Sequence, residues 1–371
     1  MRGPAAQPIV IAAGGTGGHV FPAEALASEL IARGQRVVLM TDARSGALDS
    51  PVFAGRERFV LSGAGIAGRG IGKAARAALA LGVGVAQARR ALARLDARVV
   101  VAFGGYPSVP PVLAARTLPR RPLVVLHEQN AVLGRANRFL ARHAGALALS
   151  FPDTARVPSG ARVFVSGNPV RPAIAAVPPF IPPTSDGGLR LLVLGGSLGA
   201  RVLSDVVPAA VAALPPALRA RVSVVQQCRA DDLARVRDAY AQAGVPAELA
   251  AFFPDVAARL AEAHLVVARA GASTIAELAV SGRPSILVPL PGAIDDHQSA
   301  NARALVAAGG AATIAQGELT APALAAHLAA LLGAPDRLAA AALAARGSAR
   351  PDAARRLADM IDTFISQEAP A

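Results

Sequence analysis

Short apolar runs alternate with amphipathic stretches along the chain, and this alternation constrains the fold more than any other feature. Strands separated by helices indicate βαβ units, which build parallel sheets. The sequence therefore predicts an α/β fold with parallel sheets. The runs that we interpret as strands are PIVIAA, RVVLMT, RVVVAF, PLVVLHE, ALALSF and RVFVSG in the first half, and LRLLVLGG, RVSVVQQ, LAAFF, LVVARA and PSILVPL in the second.

A Pro-rich segment separates the two series of predicted strands. The chain has 371 residues, which is enough for two hydrophobic cores of ordinary size. We predict an N-terminal domain over residues 1–168, a linker over 169–188 and a C-terminal domain over 189–350. A further helix is expected to begin at Pro351, extend over about residues 351–371, and pack back on the first domain.

The first predicted strand runs into a turn that is almost entirely glycine, in the stretch IVIAAGGTGGHVFPA. Glycines at a strand-to-helix turn let backbone amides approach a phosphate or a sugar, and the helix N-terminus adds partial positive charge. A tight turn that requires positive φ angles is the alternative explanation. We expect the helix to begin at Pro22, with His19 near its start, either as a base or as a capping or packing residue.

Glycine-rich turns occur twice more, as FGGYPS after RVVVAF and as GGSLGA after LRLLVL. Because ligands collect beyond the carboxyl ends of parallel strands, these turns are expected to lie at the ligand edges of their sheets. A dinucleotide-binding dehydrogenase is one alternative, since Asp42 ends the second strand where a ribose-binding acid belongs. Against this alternative, Val20 stands where the dinucleotide fingerprint needs its third glycine. A Walker phosphate-binding loop is also disfavoured, because no Gly-Lys-Ser or Gly-Lys-Thr follows any of the turns.

The second half carries a turn of small residues, ARAGASTIAEL, in front of a predicted helix. Small side chains let a phosphate approach the amides, and Glu277, one to two turns further, could accept hydrogen bonds from ribose hydroxyls. A surface helix capped by Ser273 or Thr274 explains the same pattern. Further on, DDHQSANA places His297, Gln298 and Asn301 after a strand, where amides suit sugar hydroxyls but also suit an ordinary polar helix start.

Composition narrows the partners and the compartment. A surplus of 38 Lys and Arg over 25 Asp and Glu gives a net charge of +13, which favours anionic partners. With no Trp and two Tyr, the aromatic platforms typical of single-stranded nucleic-acid binding are scarce, and no nucleic acid is expected. The single cysteine, Cys228, fits a reducing cytosol, and we expect no signal peptide and no membrane-spanning segment.

Seven motifs occur in an order that resembles the MurG family of bacterial peptidoglycan glycosyltransferases. They are GGTGGH at 14–19, FGGYPS at 103–108, HEQN at 127–130, GNPVR at 167–171, GGSLGA at 195–200, RAGASTIAE at 269–277 and HQSANA at 297–302. The resemblance implies a GT-B fold, with two Rossmann-like domains whose parallel sheets face across a cleft. It also implies transfer of N-acetylglucosamine (GlcNAc) from UDP-GlcNAc to the 4-hydroxyl of N-acetylmuramic acid (MurNAc) in lipid I, with inversion, to form lipid II.

Carried over by motif, the resemblance assigns roles to single residues. Glu277 would bind the ribose, the backbone of Phe253 the uracil, and Ser197 with the amides of Ala272, Ser273 and Thr274 the diphosphate. Ile275 and Ala276 belong to the same donor-binding stretch, and Arg171 and Gln298 would also contact the donor. Thr16, Gly17, Gly18 and Asn130 would bind substrate from the first domain, where Tyr106 and Glu128 are further catalytic candidates. His19 would be the base, and His127 and Glu128 are its competitors.

The expected protein uses no cofactor and no metal, because helix N-termini and Arg171 can take up the charge of the leaving group. The resemblance implies a peripheral protein on the cytoplasmic face of the bacterial inner membrane. Its expected partners are lipid I and an anionic membrane surface, and other cell-wall synthesis proteins are further candidates. Residues 67–95 fit that docking surface, although an ordinary half-buried helix explains them equally well. The residues concerned are Arg69, Lys73, Arg76, Leu79, Leu81, Val83 and Val85.

Two other functions remain open at this point. A related sugar-nucleotide enzyme of the same fold, such as a 2-epimerase or a glycolipid glycosyltransferase, would carry similar loops. A nucleotide-binding oxidoreductase is the more distant alternative.

Overall fold

The computed structural model of the protein describes residues 7–43, 50–62, 71–196 and 199–367, and of residues 71–74 only the backbone. The chain forms two compact units. The first consists of Met1–Arg171 together with Pro351–Ala371, and the second of Pro172–Arg350.

The first unit is built on a seven-stranded sheet in which every strand pair is parallel. The strand order is β3-β2-β1-β4-β5-β6-β7. Six of these strands confirm the sequence-based assignments, and β3 was not predicted. The strands are β1 (Ile9–Ala12), β2 (Val37–Asp42), β3 (Arg58–Leu61), β4 (Val99–Ala102), β5 (Leu123–Glu128), β6 (Ala146–Leu149) and β7 (Val163–Val165). The helices between them are α1 (Gly17–Ala32), α2 (Ile71–Leu95), α3 (Val109–Ala115) and α4 (Arg135–Leu140).

The second unit repeats this plan with a six-stranded parallel sheet of order β10-β9-β8-β11-β12-β13. Its strands are β8 (Leu189–Leu194), β9 (Val222–Gln227), β10 (Ala247–Ala250), β11 (Leu265–Ala268), β12 (Ser285–Leu287) and β13 (Ala311–Thr313). Its helices are α5 (Pro172–Ala175), α6 (Arg201–Ala212), α7 (Pro216–Arg219), α8 (Leu233–Gln242), α9 (Val256–Glu262), α10 (Ala272–Ser281), α11 (His297–Ala307), α12 (Ala321–Leu332) and α13 (Pro335–Gly347).

The last helix, α14 (Ala353–Gln367), belongs to the first unit. It begins two residues after Pro351, where the sequence predicted its start. Leu357 and Ile361 of α14 pack with Leu26 of α1 in a core layer on one face of the sheet. Side chains alternate along a strand, so Val10 faces the opposite layer, which is formed with α2 and α3.

One predicted strand was misplaced and two strands were missed, all in weakly patterned segments. The strand predicted as LAAFF, residues 249–253, is instead Ala247–Ala250, and the short strands β3 and β13 were missed. All three are edge strands. An edge strand has one neighbour only and is short in most proteins, so its sequence carries little of the apolar signal that marks a central strand.

The start of α1 also differs from the prediction. The helix begins at Gly17, and Pro22 lies inside it rather than at its first position. A proline at this point removes one backbone donor, but its fixed φ is helical, so the first turns can include it. The consequence is that His19 is the third residue of α1 and not a loop residue.

Within the described ranges, no single helix is both long and apolar enough to cross a membrane. The pair α12 and α13 would satisfy length and composition together, but the two helices meet at a bend of 92°. Leu324 and Leu328 of α12 are buried in the core of the second unit.

Candidate functional site

Each sheet has one point where the strand order reverses, between β1 and β4 in the first unit and between β8 and β11 in the second. Ligands of open α/β sheets bind at the carboxyl ends of the strands beside such a point. The glycine-rich turns predicted from the sequence follow β1, β4 and β8, and the turn of small residues follows β11. The motifs therefore lie at the reversal point of their own sheet.

The glycines of the turn after β1 serve different purposes. Gly15 has a φ of +86°, which a side chain would strain. A Cβ on Gly17 would lie 2.9 Å from the ring of Phe21, so a side chain there would force the ring to shift, whereas a Cβ on Gly18 would meet only the Thr16 hydroxyl at 3.7 Å. Positive φ thus explains one glycine and packing a second. Among the described residues, nothing excludes a side chain at Gly18.

His19 lies where the first and second glycine-rich turns meet. Its Nδ1 is 3.4 Å from the hydroxyl oxygen of Thr16, the N-cap residue of α1. A Cβ placed on Gly105 would be 3.3 Å from His19 Cε1, and Gly105 has a φ of +68°. The imidazole therefore packs on the backbone of the turn that presents Tyr106. The Tyr106 hydroxyl is buried and has no hydrogen-bond partner among the described residues.

Glu128, at the end of β5, is a buried carboxylate that accepts four hydrogen bonds. Its Oε1 accepts from the backbone and the side-chain amide of Asn130, at 3.0 and 3.1 Å. Its Oε2 accepts from the Gly134 backbone at 2.8 Å and from Asn137 Nδ2 at 2.9 Å. These donors fill the usual acceptor sites of a carboxylate. The arrangement orients Asn130 and the segment that leads into α4.

His127 is also fully enclosed. Its Nε2 lies 3.1 Å from the carbonyl of Gly167, and its Nδ1 lies 3.0 Å from Gln129 Nε2. Since a carbonyl accepts and an amide donates, we assign the proton to Nε2. Burial lowers the pKa of His127 to about 4, although the hydrogen bond to Gly167 opposes the shift. A neutral, enclosed imidazole with both nitrogens engaged has no nitrogen available to an acceptor hydroxyl, which argues against His127 as the base.

Arg171 stacks on an aromatic ring of α1. Its guanidinium carbon lies 4.4 Å from the centre of the Phe21 ring. The carboxyl group of Glu24, further along α1, interacts electrostatically with Arg171. Burial raises the pKa of Glu24, and Arg171 offsets part of that shift. The structure thus attaches the GNPVR motif to the helix that carries His19.

In the second unit the motif RAGASTIAE forms the start of α10. Gly271 is the N-cap residue and makes no side-chain cap, so the amides of Ala272, Ser273 and Thr274 form the uncapped first turn. The Ile275 amide already donates to the Gly271 carbonyl at 2.9 Å, and Ala276 follows it inside the helix. Glu277 is the sixth helical residue and is half-buried.

Helix α11 also begins with polar residues, and two of its side chains hydrogen-bond to backbone groups that follow β11 and β12. The side-chain oxygen of Gln298 accepts from the Leu290 amide at 2.9 Å, which sets the direction of its NH2 group. Buried Asn301 donates to the carbonyl of Ala270, one residue before the N-cap of α10. Asp295 and Asp296, just before α11, both have left-handed backbone, with φ of 57° and 51°. Strain of this kind is common at ligand sites.

The other predicted residues are placed as follows. Phe253 follows β10 and is buried, with the guanidinium carbon of Arg259 5.2 Å from the centre of its ring. Ser197 lies outside the described residues. Among those described, no group of three or more His, Cys, Asp or Glu is placed to hold a metal ion.

Asp42, which supported the dinucleotide alternative, is buried at the end of β2. A cavity of about 260 Å³ lies nearby, and the described residues that line it include Thr41 and Ser50 but not Asp42. The sequence missed Asn137 and Gln227, whose contacts organise the two sites. A lone polar residue on a short helix and the second of two glutamines in a strand gave no signal.

Each unit has a Rossmann-like sheet of parallel strands with glycine-rich or small-residue turns at its reversal point. This is the architecture of the GT-B class of glycosyltransferases. Residues 9–148 match the glycosyltransferase family 28 N-terminal domain, and residues 190–357 match the glycosyltransferase family 28 C-terminal domain. The chain belongs to the MurG family within glycosyltransferase family 28.

Full-length relatives support this membership. A protein of Granulibacter bethesdensis is 62% identical over 366 residues, which cover 98% of this chain and 95% of the relative. One of Acidiphilium cryptum is 55% identical, covering 99% of each chain. Both are named UDP-N-acetylglucosamine--N-acetylmuramyl-(pentapeptide) pyrophosphoryl-undecaprenol N-acetylglucosamine transferase. The crystal structure of MurG from Acinetobacter baumannii matches with a TM-score of 0.76 at 30% identity, over 96% of this chain and 99% of that one.

Proposed function

We propose that the protein transfers GlcNAc from UDP-GlcNAc to the 4-hydroxyl of MurNAc in lipid I, and so forms lipid II for peptidoglycan. The observation that carries the proposal is the 62% identity, over 98% of the chain, to a relative whose name states this reaction. The geometry supports it, because the turns of both units and the helix starts are arranged for an anionic ligand and for a sugar.

The proposed base is His19. In a single displacement the acceptor oxygen attacks the anomeric carbon of GlcNAc, the bond from that carbon to the β-phosphate oxygen breaks, and UDP leaves with the bonding electrons. His19 takes the proton of the acceptor hydroxyl. Its place on the Gly105 backbone supports this role, because the buried hydroxyl of neighbouring Tyr106 has no partner among the residues that the structure describes and a sugar could satisfy it. An unpartnered buried hydroxyl costs about 1–3 kcal/mol, so a bound ligand or water would stabilise the site.

The departing UDP carries negative charge, which the first turn of α10 is suited to stabilise. Three small residues leave the amides of that turn accessible, and the helix dipole adds partial positive charge. We propose that Glu277 binds the ribose hydroxyls, that Gln298 donates its NH2 group to the donor, and that Ser197 and the Phe253 backbone contact the diphosphate and uracil. Ile275 and Ala276 complete the helix without offering their amides.

The first unit supplies the remaining proposed contacts. Thr16, Gly17 and Gly18 offer the turn and helix start to substrate, and Asn130 and Arg171 add an amide and a cation. We propose that Glu128 acts through Asn130 and not as a base, because four hydrogen bonds already occupy its carboxylate.

We propose further that the protein binds the cytoplasmic face of the bacterial inner membrane as a peripheral protein, since an undecaprenyl-linked acceptor stays in the bilayer. In α2, Leu79 and Val83 are 70% and 42% exposed, and Arg76 is exposed beside them. Leu81 and Val85, expected in the same patch, instead pack on the core. Arg69 and the side chain of Lys73 lie outside the described residues.

A transfer assay tests the function. Radiolabelled UDP-GlcNAc and a short-chain lipid I analogue should yield a labelled disaccharide lipid only when both substrates are present. Conversion of UDP-GlcNAc without acceptor would indicate a 2-epimerase instead. Binding of NAD in place of UDP-GlcNAc, measured by calorimetry, would indicate an oxidoreductase.

A further inference from the structure

We propose that Gln227 is a positioning residue that sets the distance between the segment for the nucleobase and the segment for the diphosphate in the second unit. Its side chain bridges two loops that follow different strands, and so keeps the binding segments for uridine and for the diphosphate at a fixed distance from each other. The inference rests on the proposed UDP-sugar donor and deepens it, because it concerns how that donor site is held together.

The contacts of Gln227 join the loop after β8 to the loop after β10. Its Oε1 accepts from the Gly195 amide at 3.2 Å, and its Nε2 donates to the Gly196 carbonyl at 3.1 Å. The same Nε2 donates to the Ala251 carbonyl at 3.2 Å. A carboxamide is the side chain suited to this task, because it accepts at one end and donates twice at the other.

The first of these loops is the start of GGSLGA, the segment proposed for the diphosphate. It is folded tightly, since a Cβ on Gly195 would lie 2.5 Å from the Ala200 amide nitrogen. A Cβ on Gly199, which has a φ of +69°, would lie 2.9 Å from the side chain of Arg229, so this end of the turn packs closely on Arg229. Gln227 binds the open end of this turn through both atoms of its carboxamide.

The second loop, Ala251 to Phe253, is the segment proposed for uracil. Buried Phe253 fixes its far end against Arg259, and Gln227 fixes its near end through the Ala251 carbonyl. The β9 strand, which ends with Gln227, lies between β8 and β10 in the sheet. One side chain at the end of the middle strand therefore reaches the loops of both neighbours.

Preorganisation of this kind is measured as coupling between the two halves of a ligand. If Gln227 holds the spacing, its loss should leave each loop able to bind its own fragment but unable to bind both at full strength. A residue that only stabilised the fold would change the melting temperature and leave the affinity for UDP and for uridine unchanged.

The experiment compares Gln227→Met with a matched variant, Gln226→Met, by calorimetry with UDP and with uridine. Gln226 is the neighbouring glutamine of β9, faces the opposite side of the sheet, and accepts from buried Tyr240 at 2.6 Å. For Gln227→Met we expect the Kd of UDP to rise about tenfold, since up to three hydrogen bonds are lost, while the Kd of uridine changes less than about twofold. Gln226→Met should lower the melting temperature without changing the Kd of UDP.

Gln227→Glu provides a second variant at the same position, because a carboxylate cannot donate to the Gly196 and Ala251 carbonyls. It should weaken UDP at least as much as Gln227→Met does. Unchanged UDP affinity in both variants would overturn the proposal, as would an equal loss for UDP and uridine or an equal loss in Gln226→Met. A wild-type protein that bound no UDP would overturn the proposed function itself, a result that is read before any variant is made.

Discussion

The helix that follows β1 in the first unit places an imidazole in its first turn, whereas α10, which follows β11 in the second, places three small residues there. Both helices begin at the reversal point of a parallel sheet, and neither has a side-chain cap at its N-terminus. The topology is the same, but one site offers a titratable side chain and the other mostly backbone. Proton transfer needs the first kind of group, and anion binding is served by the second.

The two units also differ in the partners of an arginine that links elements within each unit. Arg33 of α1 reaches Glu29, Asp359 and Asp362, at 2.7–2.8 Å, and these partly exposed ion pairs join α1 to α14. Arg283 is 1% exposed and has no carboxylate among its hydrogen-bond partners. It donates to carbonyls at the ends of α9 and α10 and to Pro178 in the segment before β8. Burial lowers its pKa to about 10.

The strongest test of the comparison is His19→Ala against Glu277→Ala. Loss of a general base should lower kcat by about 10²–10⁴-fold with little change in the KM for UDP-GlcNAc. Glu277→Ala should instead raise the KM and the Kd of the donor, because its proposed contacts are made in the ground state. Steady-state kinetics with both substrates varied decide this. Full turnover in His19→Ala with saturating substrates would remove the base assignment.

The comparison of the arginines predicts a difference in stability. Arg283→Met should lower the free energy of unfolding by about 3 kcal/mol or more, because several buried carbonyls lose their donor. Arg33→Met should cost about 1 kcal/mol, since partly exposed ion pairs contribute little. Urea unfolding followed by circular dichroism measures both. Equal losses would show that burial is not the deciding difference.

The pH dependence of the free energy of unfolding should distinguish fully buried His127 of the first unit from half-buried His264 of the second. His127 has a folded pKa of about 4, below its ordinary value of 6.5. Between these values the unfolded state binds more protons, so stability present above pH 6.5 is lost as the pH falls toward 4. Wild type should lose about 2 kcal/mol from this group between pH 7 and 5, a loss that His127→Gln should not show.

The control is His264→Gln in the second unit. Burial, together with Arg190 and Arg283, lowers the pKa of His264 in the same direction, but its ring is only half-buried. The pH dependence of its unfolding free energy should therefore change less. Thermal and urea unfolding of wild type, His127→Gln and His264→Gln at pH 7 and 5 measure these differences. If His127→Gln lost as much stability between the two pH values as wild type, His127 would not be the group that causes the loss.

The smallest effect concerns the surface. Leu79→Ser with Val83→Ser should weaken sedimentation with anionic vesicles about tenfold, because apolar area no longer enters the interface. Leu343→Ser in the second unit is the matched control, since that side chain is 76% exposed but lies outside the proposed docking surface. Vesicles of phosphatidylglycerol and of phosphatidylcholine distinguish the charge contribution. A similar loss in the control would remove α2 as the docking surface.

The order of strands and turns could be read from the sequence because it depends on local periodicity. Val10, Val38 and Val100 sit in runs whose apolar character continues on both sheet faces, which only a buried parallel strand requires. The glycine turns and the order of motifs are likewise local features, and they were enough to indicate the family. The start of α1 was not, because a proline is compatible with several positions in the first turns of a helix.

Roles within HEQN could not be read in this way. His127 and Glu128 are adjacent polar residues that could each be a base, and only their partners distinguish them from His19. Those partners, Gly167 and Asn137, lie 40 and 9 residues away in the chain. Gln227 is a further case, since its contacts span 32 and 24 residues.

By itself, then, the sequence determined the class of fold, its division into two series of strands and the family of the protein. The tertiary structure alone decided which polar side chains, such as those of His127 and Glu128, already have hydrogen-bond partners within the protein. The physical reason is that burial patterns repeat along neighbouring residues, whereas a hydrogen bond is completed by whichever group the fold brings to within about 3 Å.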